Sequence, residues 1–276
     1  MARSLCLHKG AQRRDMSSIR EDVLPSPMGP RHVLLPHAEF YDLARERLDA
    51  GGYNVTWEEH STNSDSSRYF GLMGITNGEN SNERERIIGL RNAHDQTFTA
   101  EMAAGDSVFV CDNLLFSGEI KVGRKHTIGA KDDLPSLMDD CVGYLGAVWD
   151  NQTERVEAYK ERPLSKEEAH DLVCKAFRAG ALPTSKIATV LDEYEGNIEL
   201  ENGRGFRHPD FEERNMWSFL NAYTETAKIW GSETLQRRSI KMVGMLDKYA
   251  GHKSIKPLRS GDTFDAEHGE VVVVNN

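Results

Sequence analysis

The spacing of apolar residues changes character twice along the chain, and the changes mark its elements. Residues 1–36 mix Arg, Ser and Gly with Pro25, Pro27, Pro30 and Pro36 and hold no period, which predicts a mobile or loosely docked arm. Phe40, Leu43, Ala44 and Leu48 then share one helical face, closed by Gly51-Gly52. After the glycine pair the period falls to two: Tyr53, Val55 and Trp57 alternate with Asn54, Thr56 and Glu58, as a half-buried strand requires. His60 to Ser67 reads as a polar loop, Arg68 to Thr76 as a second strand ending in Asn77-Gly78, and the following polar stretch to Arg86 as a solvent loop. Strand-like runs follow at Ile87–Leu90, Thr97–Met102, Ser107–Cys111 and Leu115–Ile120, separated by His94-Asp95-Gln96, Gly105-Asp106 and Asp112-Asn113, all turn chemistry. Connections this short predict an antiparallel meander, because a parallel crossover needs about a dozen residues or more.

From Asp133 onward the steps are three and four. Leu134, Leu137, Met138, Cys141, Val142, Leu145, Val148 and Trp149 form a long stripe that Val156 and Tyr159 extend. Ser165-Lys166-Glu167-Glu168 is a capping box ahead of Leu172, Val173, Ala176 and Phe177, with Gly180 as the stop. Pro183-Thr184 opens a helix carrying Ile187, Val190, Leu191 and Tyr194. After a Gly/Asn-rich loop come two longer helices, one with Met216, Phe219, Leu220, Tyr223, Ala227 and Trp230, the other with Leu235, Ile240, Val243, Leu246 and Tyr249. The expected fold is α+β: an N-terminal arm (1–36), one domain over 37–250 with the antiparallel sheet in 37–132 and helices in 133–250, and a tail (251–276) in which Val271–Val274 either pairs as an edge strand or stays free.

Composition narrows the class. No apolar run approaches the roughly 20 residues that span a bilayer, and the N-terminal stretch lacks the apolar region of a secretory signal. Cys6, Cys111, Cys141 and Cys174 are scattered with no C-x-x-C pair, which fits a reducing cytoplasm, and Cys141 and Cys174 read as core. The net charge of −10 argues against wholesale coating of nucleic acid. Its distribution is uneven. Arg237, Arg238, Lys241, Lys248, Lys253, Lys256 and Arg259 face a single acid, Asp247, so 236–259 carries +6 while the rest of the chain carries −16. This is either a solvated face or a patch for an anionic partner.

Candidate chemistry concentrates in the strand block. His94-Asp95 is a metal-ligand dyad in some phosphohydrolases, but without a helical His partner it fits an Asx turn better. Glu119-Ile120-Lys121 puts an acid and a lysine on one strand face, as a metal-dependent nuclease requires, with Asp95, Asp106 or Asp112 as the further acid; a cross-strand ion pair is the plainer alternative. Lys121, Arg124, Lys125 and His126 form a compact basic turn. Cys111 has no assignable base and reads as the end of an apolar strand. Walker, dinucleotide-binding, zincin and nucleophile-elbow motifs are missing, and no cofactor or metal is implied.

At these residues a resemblance emerges. GLRNAHDQTFTAEMAAGDSVFVCDNLLFSGEIKVGRKHT from Gly89, and NMWSFLNAYTE from Asn215, resemble two blocks of a phage- and plasmid-borne family of unknown function. That resemblance covers about residues 35–250 and implies a bacterial cytoplasmic setting among mobile-element genes, with no reaction or catalytic residues to carry over. A helix, Gly51 to Trp57, an antiparallel sheet and a long helix are also similar in layout to single-strand-annealing recombinases, which hold DNA by its backbone in a basic groove. The leading expectation is a non-enzymatic, oligomeric protein that binds single-stranded DNA during annealing, recombination or replication, using Lys121, Arg124, Lys125, Arg237, Arg238 and Lys241. The alternatives are an inhibitor that binds a host defence protein through an acidic exterior, and a nuclease using Glu119, Lys121 and Asp112.

Overall fold

A computed structural model describes residues 11–78, 84–108, 113–115, 118–228, 230 and 232–273. In chain order the elements are β1 (Gln12–Arg13), α1 (Met16–Arg20), α2 (His37–Ala50), β2 (Asn54–Thr62), β3 (Arg68–Thr76), β4 (Arg84–Ala93), β5 (Ala100–Val108), β6 (Asn113–Leu115), β7 (Ile120–Arg124), α3 (Ala130–Glu161), α4 (Lys166–Arg178), α5 (Ile187–Glu195), β8 (Ile198–Leu200), β9 (Gly203–Gly205), α6 (Met216–Ala227), α7 (Ser232–Ala250), β10 (Leu258–Arg259), β11 (Thr263–Asp265) and β12 (Glu270–Val272). The fold is α+β, an antiparallel-dominated sheet followed by a helical half. Two compact units divide it: described residues within 11–106, 118–149 and 255–273 form the first, and those within 107–117 and 150–254 the second. Residues 37–250, read above as one domain, contribute to both.

In the first unit the strands run in the order β1-β2-β3-β4-β5-β7-β10. Pairs β1/β2, β2/β3, β3/β4 and β5/β7 are antiparallel, and β10 joins β7 in parallel, Leu258 opposite Ile120. Alternation delivers one apolar face: Met73 opposite Ile88 and Met102 opposite Val122, with Leu258 beside Ile120. These residues share a core with Phe40, Ala44 and Leu48 of α2 and Leu134, Met138, Cys141, Leu145 and Val148 of α3. Residues 11–36, expected as an arm, supply β1, α1 and the core residues Met16, Ile19 and Leu35, and His32 bridges to Thr127. The expected tail contributes β10 and a β11/β12 hairpin, so Val271 and Val272 are paired.

Strand boundaries differ from the sequence expectation at four places. β2 continues through His60, Ser61 and Thr62, all buried, where a loop was expected. The His60 ring lies 3.0 Å from the Tyr69 hydroxyl at Nδ1, and the Ser61 hydroxyl donates to the Phe70 carbonyl, so both side chains find partners on β3 instead of solvent. β5 begins at Ala100 rather than Thr97 and runs through Gly105-Asp106, expected as a turn. The run expected over Leu115–Ile120 is instead divided between β6 and β7, with Gly118 between them at φ +91°, a value glycine adopts without strain. The expected solvent loop is partly strand, since β4 reaches back to Arg84; residues 79–83 lie outside the described residues.

The second unit holds residues 150–161 of α3, helices α4 to α7 and the β8/β9 hairpin. Ser165 and Glu168 form the capping box in full, each side chain bonded to the other's backbone N–H. Gly196 ends α5 in the left-handed region at φ 71°, with Phe206 packed where a Cβ would stand. On α4 the buried stripe is Ala169, Leu172, Val173 and Ala176. Cys174 and Phe177, both expected in the core, are exposed, since the 3.6-residue turn carries them past that stripe. Every residue of α6 except Glu225 is buried, and its polar side chains satisfy themselves within the helix, Asn221 on the Trp217 carbonyl and Thr226 on that of Ala222. Among the described residues no helix is long and apolar enough to cross a membrane.

Candidate functional site

Three turns of the first unit meet at one place. The first follows β4, where Asp95 accepts from the Thr97 backbone N–H and hydroxyl at 3.1 and 2.6 Å and receives the Arg68 guanidinium at 2.6 Å. This is the Asx-turn reading of His94-Asp95, and Gln96 beside it sits at φ 59°, rare for a residue with a side chain. The second is the segment Gly29–His32. The third closes β7 at Lys125–Thr127 and is fastened to the second by the Val33 N–H on the His126 carbonyl at 3.1 Å. Between them lies a cleft of about 630 Å³. Arg31 and Lys125 are exposed on its lining, Phe98 is half-buried there with the Arg91 guanidinium 5.1 Å from its ring centre, and His32 and His126 are buried. Gln96, Thr97, Thr99 and Thr127 add an amide and hydroxyls.

His32 and His126 of the lining belong to a run of buried histidines. His37 and His94 stack with ring centres 4.0 Å apart and planes 3° from parallel, and His126 lies 6.3 Å from His94 and 5.8 Å from His32. His37 is saturated: Nε2 donates to the Ser66 carbonyl at 2.9 Å and Nδ1 accepts from the Asn92 amide at 3.0 Å. Nε2 of His94 donates to the Leu35 carbonyl at 2.9 Å, and Nδ1 of His32 accepts from the Met28 N–H at 2.9 Å. These partners fix tautomers, because a carbonyl only accepts and an amide N–H only donates. The remaining nitrogens, His94 Nδ1, His32 Nε2 and both of His126, have no hydrogen-bond partner among the described residues. Burial, and then the neighbouring His94, pushes His37 down to about 3; burial, then His94 and His32, pushes His126 down to about 4. Both are therefore neutral at pH 7. Among the described residues no group of three or more His, Cys, Asp or Glu could hold a metal ion.

The structure distributes the residues named from sequence over both units. Lys121, Arg124 and Lys125 belong to the first, Arg237, Arg238 and Lys241 to the second. Arg124 is bound to Asp133. Lys125 reaches the cleft with no acidic partner among the described residues. The Arg238 guanidinium stands 4.7 Å from the Trp230 ring centre, Lys241 donates to the Ala179 carbonyl at 3.1 Å and Arg237 is exposed. Glu119 is buried just ahead of β7, and Lys121 lies 3.9 Å from Glu101, which takes the Arg91 guanidinium at 2.8 Å. The neighbouring-strand acid beside Lys121 is therefore Glu101, not Asp95. Asp112, Cys111 and the side chain of Asp106 lie outside the described residues. Arg259, opposite Lys121 on β10, is pulled below the usual guanidinium range by burial, against the opposing effect of Glu119. Glu101 and Glu119 therefore stand among Arg91, Lys121 and Arg259, which is the ion-pair alternative to a metal site.

Sequence reasoning reached Lys125 and the basic turn holding His126 but not Arg31, His32 or Phe98. Nothing in their spacing tells that a segment some ninety residues upstream of β7 would fold against its end. A family model described as a domain of unknown function (DUF932) matches residues 26–244. Neither a curated protein nor a solved structure matches the chain.

Proposed function

The chain belongs to that family of domains of unknown function, whose span takes in Arg31, Phe98, Lys125 and His126, and we propose that it binds single-stranded DNA through the cleft of its first unit. One observation carries the reading: two exposed cations without acidic partners among the described residues, Arg31 and Lys125, line the same cleft as an aromatic ring in a chain of net charge −10. Cations attract the phosphates, and an aromatic ring offers a platform for a base, the two ingredients of sequence-tolerant single-strand binding. Acidity elsewhere confines the DNA to this place instead of opposing it. The resemblance to phage- and plasmid-borne proteins and the recombinase-like layout support placing this binding in annealing, replication or recombination of a mobile element.

Fluorescence anisotropy with a labelled oligo-dT at 50 and 200 mM salt tests it. The expected result is binding that weakens as salt rises. Arg31→Gln with Lys125→Gln should lower affinity and make the log–log salt slope shallower by about 1.4, since each phosphate contact to a single strand contributes ~0.7. Absence of salt-sensitive binding by the unaltered protein would remove the proposal.

A further inference from the structure

The geometry points to a seat for one everted nucleotide in this cleft, with its base against Phe98 and His126 and its phosphate beside Arg31 and Lys125. The inference rests on the cleft being the DNA-binding site and adds to it what part of the strand enters. His126 is 7% exposed, lines the cleft and has no partner at either ring nitrogen among the described residues. A buried polar side chain normally has at least one partner. The His126 ring is neutral at pH 7, so it offers one N–H and one lone pair. Nε2 of His32 carries the proton, because Nδ1 accepts from the Met28 N–H, and that Nε2–H is likewise unpartnered at 7% exposure.

Ligand classes differ in how much of this they satisfy. A bare phosphate answers Arg31 and Lys125 and leaves the imidazoles unmet. An apolar group covers Phe98 and worsens the burial of His126. A nucleobase carries donors, acceptors and a flat face together, and its own phosphate keeps it tethered near the rim. The two nitrogens of one imidazole diverge, so His126 meets a base edge with one and leaves the other for the Thr97, Thr99 or Thr127 hydroxyls or a second base atom. A volume of about 630 Å³ is within the range of small-ligand clefts. Everting a base from a single strand costs less than from a duplex, which suits a protein that meets DNA unpaired.

The full chain is titrated by anisotropy with three labelled 20-mers: oligo-dT, oligo-dA and a strand made wholly of abasic tetrahydrofuran units. Unlabelled dTMP and dAMP serve as competitors. The expected outcome is at least tenfold weaker binding of the abasic strand, the order of one stacked base. His126→Ala should erase most of that ratio, His126→Gln, which keeps a donor and an acceptor, should restore part of it, and the mononucleotides should compete. Equal affinity for base-bearing and abasic strands overturns the base seat while leaving strand binding intact. Discrimination unchanged in His126→Ala overturns it too, by placing the seat elsewhere. If no strand binds but a mononucleotide does, the nucleotide seat stands and the single-strand function falls. If neither binds, both fall. Should His126→Ala fail to fold, the abasic comparison and His126→Gln still decide.

Discussion

Asp247 shows how little a residue's neighbours in sequence say about its partner. Along the chain it is the lone acid in a basic stretch. In the second unit it is 3% exposed and accepts from Arg155 Nε at 2.9 Å, the Tyr159 hydroxyl at 2.6 Å and the Ser254 hydroxyl at 2.5 Å. Arg155 is itself 2% exposed. Removing one member of a buried pair strands the other charge, so Asp247→Ala should cost roughly 3–5 kcal/mol, read as a lower urea midpoint. A loss below about 1 kcal/mol would mean that water reaches Arg155. Lys241 and Arg238, a turn or two earlier on α7, touch a carbonyl and a ring instead, so adjacent cations on one helix do unlike work.

At the scale of elements, the most legible features are those closed within a few residues. The capping box was readable because both reciprocal bonds lie inside Ser165–Glu168. Ser165→Ala should therefore lower stability by about 1 kcal/mol in chemical denaturation, with the α4 amides exchanging faster than those of α6. A stability change near zero would show that Glu168 caps alone. The block NMWSFLNAYTE, which carries half of the resemblance to mobile-element proteins, falls on Asn215 and the almost wholly buried α6. It reads as a core requirement, with Asn215 capping the helix at the Ser218 N–H, and it holds no cleft residue. β2 was less legible, because its last three residues are polar and buried. Alternating hydropathy cannot register a strand whose side chains bond to Tyr69 and Phe70 instead of meeting solvent.

For the whole molecule, the buried histidines link stability to acidity. Burial lowers His37, His94, His126 and His60 from an ordinary value near 6.5, to about 3 for His37 and about 4 for His126. In the unfolded chain they take up protons near 6.5, and in the folded chain they do so only at lower pH. Stability is therefore complete above about 6.5 and declines as the pH falls through the window down to about 4, and to about 3 for His37. Each such imidazole contributes a slope of up to ~1.4 kcal/mol per pH unit. Urea midpoints taken between pH 7.5 and 4.5 should fall, and His37→Asn should flatten the fall whatever it does to the midpoint at pH 7.5. A flat profile for the unaltered protein would show that the cluster protonates as freely folded as unfolded.

What the chain determines by itself is its class and much of its punctuation. The change from a period of two to one of 3.6, the glycine stops and the capping box are local, because strand and helix repeat within a handful of residues. They suffice for an antiparallel sheet followed by helices. The cleft was not so determined. Arg31, Phe98 and Lys125 lie in three turns with no shared period, and only the closing of β5 on β7 and of residues 29–33 on 126–127 makes them neighbours. The same folding removes His126 from water without supplying a partner among the described residues, and it hides Asp247 from the charge pattern around it. Contacts across such separations are set by packing, to which periodicity along the chain is blind.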